Sequence, residues 1–75
     1  MTVLEKLKKK LELNCFKPNE DQTYWEKCCD RKEMQITINK GSFEVMDIRH
    51  PVFKEGWWKE KYRLTHKNID DLYLI

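Results

Sequence analysis

Cys15, Cys28, Cys29, His50 and His66 are the side chains of this 75-residue chain best suited to hold a transition metal. Three thiols and two imidazoles would meet the four-ligand need of tetrahedral zinc. Their spacing works against it, because no C-x-x-C or H-x-x-x-H element is present and adjacent cysteines can rarely both reach one ion without backbone strain. The odd count leaves one thiol over in any disulfide scheme, and a bond between the neighbours Cys28 and Cys29 would close a strained ring that constrains little chain entropy. We therefore expect three reduced, metal-free thiols, buried and unreactive on a helix face, where cysteine behaves as a small apolar residue.

Nucleophilic catalysis needs a hydroxyl or thiol beside a base. Ser42 is the only serine, and it falls where a hairpin turn wants a small polar residue. Cys28 or Cys29 with His50 or His66 could form a dyad, yet so short a chain has little wall for a substrate pocket of roughly 300 Å³ or more. Asp70 and Asp71 adjoin in sequence rather than face each other, and no glycine-rich phosphate loop exists. The expectation is a protein that is not an enzyme and carries no cofactor.

Binding chemistry is better represented. If residues 57–64 form a strand, Trp57, Lys59, Lys61 and Arg63 lie on one face at period two, an aromatic platform beside three cations that could track a nucleic-acid backbone. The alternative role of such a row is a solvated sheet face, with Glu44 on a neighbouring strand neutralising part of it. Trp25, Trp57, Trp58, Phe53 and Tyr24 are more large aromatics than one small core hides, and exposed aromatics anchor protein interfaces. Trp57, Phe53 and Tyr24 are accordingly the candidate partner-binding residues. The leading expectation is a small interaction module that binds and modulates a larger protein, or associates with its own copy. A nucleic-acid-binding module using Trp57, Lys59, Lys61 and Arg63 is the alternative.

The charge supports that order: 15 Lys and Arg against 13 Asp and Glu give +2, too little to attract a polyanion by bulk field. The N-terminal lysines oppose a leucine stripe that is short and lacks an aromatic anchor for a membrane surface. No apolar run approaches the roughly 20 residues of a spanning helix, and the first residues lack the apolar core of a secretion signal. A cytoplasmic protein is expected. The Lys, Ile and Asn bias and the size are similar in general character to small accessory proteins of bacteriophages, a compositional likeness that covers no motif.

The elements that would position these residues follow from periodicity, in a single domain over residues 1–75. Thr2 with Glu5 is a capping-box pattern, and Val3, Leu4, Leu7 and Leu11 share a helical face that ends near Asn14. Lys6, Lys9 and Lys10 fall opposite, with Glu5 placed to pair with Lys9. Asn19 with Gln22, or Thr23 with Glu26, offers a second cap for a helix running to about Arg31. Met34, Ile36 and Ile38 then alternate, Asn39 to Ser42 turns, and Phe43 with Val45 begins a returning strand, bulged near Val45 or buried on both faces before His50-Pro51 ends it. Lys54 to Gly56 turns again, and Trp58, Tyr62 and Leu64 form an inward row with Glu60 discordant. Residues 68–75 are expected to be a closing strand after a turn at Asn68 to Asp71, in preference to a short helix capped by Asn68. The fold class is α+β, an N-terminal helical pair packed on a three- or four-stranded antiparallel sheet. Its expected core is Leu4, Leu7, Leu11, Trp25, Ile36, Ile38, Val45, Trp58, Tyr62 and Leu64.

Overall fold

The computed structural model describes residues 1–30, 32–49 and 57–75, and for residues 48, 49, 57 and 58 the backbone alone. The architecture is α+β. Helix α1 (Val3–Leu13) precedes strands β1 (Lys17–Pro18), β2 (Tyr24–Cys29), β3 (Lys32–Asn39), β4 (Ser42–Arg49) and β5 (Trp57–Arg63), and helix α2 (His66–Asp70) follows. The strands lie side by side in chain order, each antiparallel to the next.

Helix α1 begins as its residues require. Thr2 Oγ1 accepts from the Glu5 N–H at 3.1 Å and Glu5 Oε1 accepts from the Thr2 N–H at 3.0 Å, closing the capping box. Glu5 is thus occupied at the helix start rather than with Lys9. At the other end, the Phe16 N–H reaches Leu11 O at 3.0 Å and the Cys15 N–H reaches Glu12 O at 3.1 Å. This is the paired-bond Schellman ending, with Cys15 in the left-handed position at φ 66 and Phe16 and Leu11 both buried.

The expected second helix is absent: its residues supply a turn and β2, β1 precedes them at Lys17–Pro18, and the strand count rises to five. The apparent cap residues are used as turn residues instead. Asn19 Oδ1 accepts from the N–H groups of Thr23 and Tyr24, at 3.0 and 3.2 Å, and Asp21 Oδ1 accepts from the Thr23 hydroxyl at 2.6 Å. Asn and Asp serve caps and turns by the same side-chain-to-backbone bond, so the signal alone does not choose. Trp25 decides it. As a strand residue it registers with Ile36, is 2% exposed, and donates its indole N–H to Gln22 O at 2.9 Å. Aromatic residues fit such a pleated, half-buried surface.

The expected hairpin is present, with β3 and β4 paired from Lys32↔Arg49 to Asn39↔Ser42 in one continuous register. Gly41, at φ 74, takes the turn position that a side chain would strain. No bulge occurs at Val45. Phe43, Val45 and Asp47 hold the core side of β4 while Met46 is half-buried on the other side, so a carboxylate occupies the place where the apolar alternation fails. The turn assigned to Lys54 to Gly56 and the strand end at His50-Pro51 lie outside the described residues.

The closing strand assigned to residues 68–75 is also replaced. Thr65, not Asn68, caps α2, its Oγ1 accepting from the Asn68 N–H at 3.1 Å, while Asn68 Nδ2 donates to Arg63 O at 2.9 Å. Ile69 is fully buried, and Leu72, Leu74 and Ile75 pack against the core in irregular chain. Leu7, Leu11, Phe16, Trp25, Met34, Ile36, Ile38, Phe43, Val45 and Ile69 form one buried cluster. Of the expected core, Leu4, Tyr62 and Leu64 are only partly buried against that cluster, and the Trp58 side chain lies outside the description.

Lysines tie the C-terminal segment back. Lys10 Nζ donates to Ile69 O at 2.5 Å and Leu72 O at 2.8 Å, placing a cation on the negative end of α2. Lys6 pairs with Asp70 at 2.8 Å, and Lys27 Nζ donates to Ile75 O at 2.7 Å. Lys6 and Lys10, expected on a solvated face, are therefore half-buried between the helices. No helix among the described residues is long and apolar enough to cross a membrane.

Candidate functional site: the outer face of the sheet

Antiparallel partners put their side chains on the same face, so the register draws the outer surface directly. One cross-strand row is Lys17, Glu26, Gln35, Met46 and Lys59, and the next is Tyr24, Thr37, Glu44 and Lys61. Cys28 and Glu33 begin a third, and Asn39, Ser42 and Arg63 make a fourth. Lys59, Lys61 and Arg63 are exposed along β5, the edge strand, as the period-two reading expected. Tyr24 lies on the same face, three strands away, about 14 Å at the usual strand spacing.

The face is divided by charge. On the β5 side, Lys59 Nζ pairs with Glu44 Oε2 at 3.1 Å, the partial neutralisation that the sequence suggested. Lys61 and Arg63 carry the remaining positive charge of that strand. On the β2 and β3 side stand Glu26 and Glu33, with Lys17 of β1 opposite Glu26, and the two glutamates set the chemistry of their neighbours. Tyr24 donates its hydroxyl to Glu26 Oε2 at 3.3 Å, and its pKa is raised, first by burial and then by the Glu26 charge. Cys28 donates its thiol to Glu33 Oε1 at 3.4 Å, and that bond is the main reason its pKa is raised. A thiol held protonated is a poor nucleophile and a poor metal ligand.

All three cysteines are free and exposed, which corrects the expectation of buried thiols on a helix face. In β2 the pleat sends Cys28 and Cys29 to opposite faces, so adjacency separates them. No group of three potential ligands converges among the described residues. His66 begins α2, with Nδ1 at 3.5 Å from Lys6 Nζ. Phe53 and the Trp57 side chain, two of the three partner-binding candidates, lie outside the described residues, and so does His50; the β5 register places Trp57 opposite Ile48. Sequence reasoning missed Glu26 as a member of this face, since a helical reading of residues 19–31 takes it off the sheet, and with it missed the pairing of Glu33 with Cys28; only the Tyr24-Trp25 pair signalled a strand there. Comparison with known proteins identifies no matching family model, no similar curated protein and no similar solved structure.

Proposed function

We propose that the chain is a non-enzymatic interaction module that binds and modulates a larger protein through the outer face of its sheet. The observation that carries this reading is the uneven charge of one face, with Lys59, Lys61 and Arg63 along β5 against the single Glu44 of the neighbouring strand, and Glu26 and Glu33 against the single Lys17 on the other side. Between them lie the neutral Gln35 and Thr37 and the half-buried Met46. A protein surface carries both signs and can match both sides, gaining specificity and steering from the complementarity. A polyanion meets attraction on one side and repulsion on the other. Nucleic acid remains the second reading because a single strand confined to β5 would meet the cations alone.

Charge reversal on each side separates the two. The full chain and two variants, Lys61→Glu with Arg63→Glu and Glu26→Lys with Glu33→Lys, are used for affinity capture from a cell lysate with and without nuclease. A stoichiometric protein that survives nuclease and is lost with both variants is the expected result. Binding that disappears with nuclease, weakens with the first variant and strengthens with the second would replace the protein reading by the nucleic-acid one.

A further inference from the structure

On the opposite, core-side face of the sheet, Asp47 is 8% exposed, and its Oδ1 has no hydrogen-bond partner among the described residues. Its register neighbour on β3 is Met34, and Val45 precedes it on the same side of β4. An isolated buried carboxylate is costly whether it ionises or merely leaves an oxygen unsatisfied. Asp47 does not stand in solid packing. It lines a cavity of about 170 Å³ with Met34, Val45, Tyr62, Asn68, Asp71, Leu72 and Tyr73. Among the described residues the lining contains two carboxylates and no cation. Lys10, which reaches Leu72 of this lining, is engaged with the carbonyls of Ile69 and Leu72.

We propose that this cavity is a binding site for a primary alkylammonium group. Four features select that chemistry. The volume is below the roughly 300–1,000 Å³ of sites for drug-sized ligands, so the occupant is the size of one side chain. Met34, Val45 and Leu72 offer an apolar sleeve for a methylene stem, which a hydrated divalent ion does not use. Asp47 Oδ1, the Asp71 carboxylate and the Asn68 Oδ1 left over when its amide donates to Arg63 O are acceptors that suit the three N–H donors of an ammonium. The rings of Tyr62 and of Tyr73, which is 80% exposed, border the cavity and can face a cation. The same group occurs on the lysine side chain of a protein and in free polyamines. This site is separate from the charge-divided outer face, and its occupation does not depend on what that face binds.

The test is an amide-resolved NMR titration of the full chain with n-butylammonium chloride, with 1-butanol at the same concentrations as the uncharged control. Saturable shifts at Val45, Asn68 and Leu72 with the amine and none with the alcohol are expected. The dissociation constant should be of the order of millimolar, within the affinity ceiling for so few heavy atoms. Asp47→Asn should weaken binding at least tenfold, and the exposed Asp71→Asn, which serves if the first variant does not fold, about threefold. Nα-acetyl-lysine N-methylamide and 1,4-diaminobutane, titrated in parallel, distinguish the sources: tighter binding of the former assigns a lysine side chain, tighter binding of the latter a free polyamine. Equal shifts with the alcohol, or shifts unchanged in both variants, would overturn the proposal, and so would the absence of saturation by the amine.

Discussion

Single residues in this chain hold positions that their types do not favour, and each mismatch makes a measurable statement. Cys15 occupies the left-handed position that closes α1, where glycine is the usual occupant. A side chain there costs roughly 1–2 kcal/mol, and glycine would return about half of that as added freedom of the unfolded chain. Cys15→Gly should therefore stabilise the fold by about 0.5–1 kcal/mol, read as a higher urea midpoint with unchanged slope. A lower midpoint would mean that the thiol makes a contact that outweighs the strain. Cys28 is exposed yet held protonated by Glu33. With Cys15→Ser and Cys29→Ser removing the other thiols, iodoacetamide at pH 8 should label Cys28 more slowly than an unstructured cysteine. Glu33→Ala should speed the labelling, because it removes both the acceptor and the charge that disfavour the thiolate; an unchanged rate would remove Glu33 from the account.

At the scale of elements, α1 and the turn before β2 are started by hydrogen bonds to the carboxylates of Glu5 and Asp21, and a third carboxylate, Asp70 at the end of α2, pairs with Lys6 of α1. Glu5 is lowered in pKa first by its bond from the Thr2 backbone, Asp21 by the Thr23 hydroxyl, and Asp70 by the Lys6 ammonium. A carboxyl whose folded pKa lies below its unfolded one binds fewer protons in the folded state. Its contribution is complete above the unfolded pKa and is lost as pH falls through the folded one. The three together should make stability decline below about pH 4, the ordinary carboxyl range. The variant Glu5→Gln, Asp21→Asn, Asp70→Asn should show a flatter acid limb in urea melts between pH 5 and 2, and a limb as steep as the parent's would assign acid sensitivity to other groups. These elements were unequally legible. The capping box of α1 and the β3–β4 hairpin could be read because local signal and burial agree, Thr2 with Glu5 and Met34, Ile36 and Ile38 with Phe43 and Val45. Residues 19–31 misled because Asn19, Asp21 and Thr23 bond backbone N–H groups equally well in a turn. Strand pairing of Trp25 with Ile36 is a long-range fact that no local window contains. Residues 68–75 misled for the converse reason: Leu72 and Leu74 alternate like a strand, but with Ile75 they fill the core edge after a helix anchored by Ile69 and Lys10. Asp47, the residue on which the cavity turns, was visible only as the point where the alternation of β4 failed.

Across the whole molecule, +2 is the residue of a near balance, so what matters is how the fold sorts the signs. The meander puts β5 at the edge and β2 three strands inward, and thereby places Lys59, Lys61 and Arg63 on one side of the outer face and Glu26 and Glu33, with Lys17 opposite Glu26, on the other. The edge strand also gains from this arrangement, since lysines along an edge discourage pairing with another chain. The basic row therefore has a structural use even where no polyanion binds. A quantitative consequence follows for single-stranded nucleic acid. With Lys59 engaged by Glu44, Lys61 and Arg63 are the cations of β5 left to meet phosphates. Two contacts at about 0.7 each give a log-log salt slope near −1.4. Titration of a labelled oligonucleotide from 50 to 200 mM salt should give that shallow slope and a dissociation constant weaker than about micromolar at physiological salt, because no wider positive field supports the two side chains. Glu44→Gln should release Lys59 and steepen the slope by about 0.7. Tight binding with a slope of several units would show that the cations act together over a larger surface, and the basic strand would then be the functional site in place of the divided face.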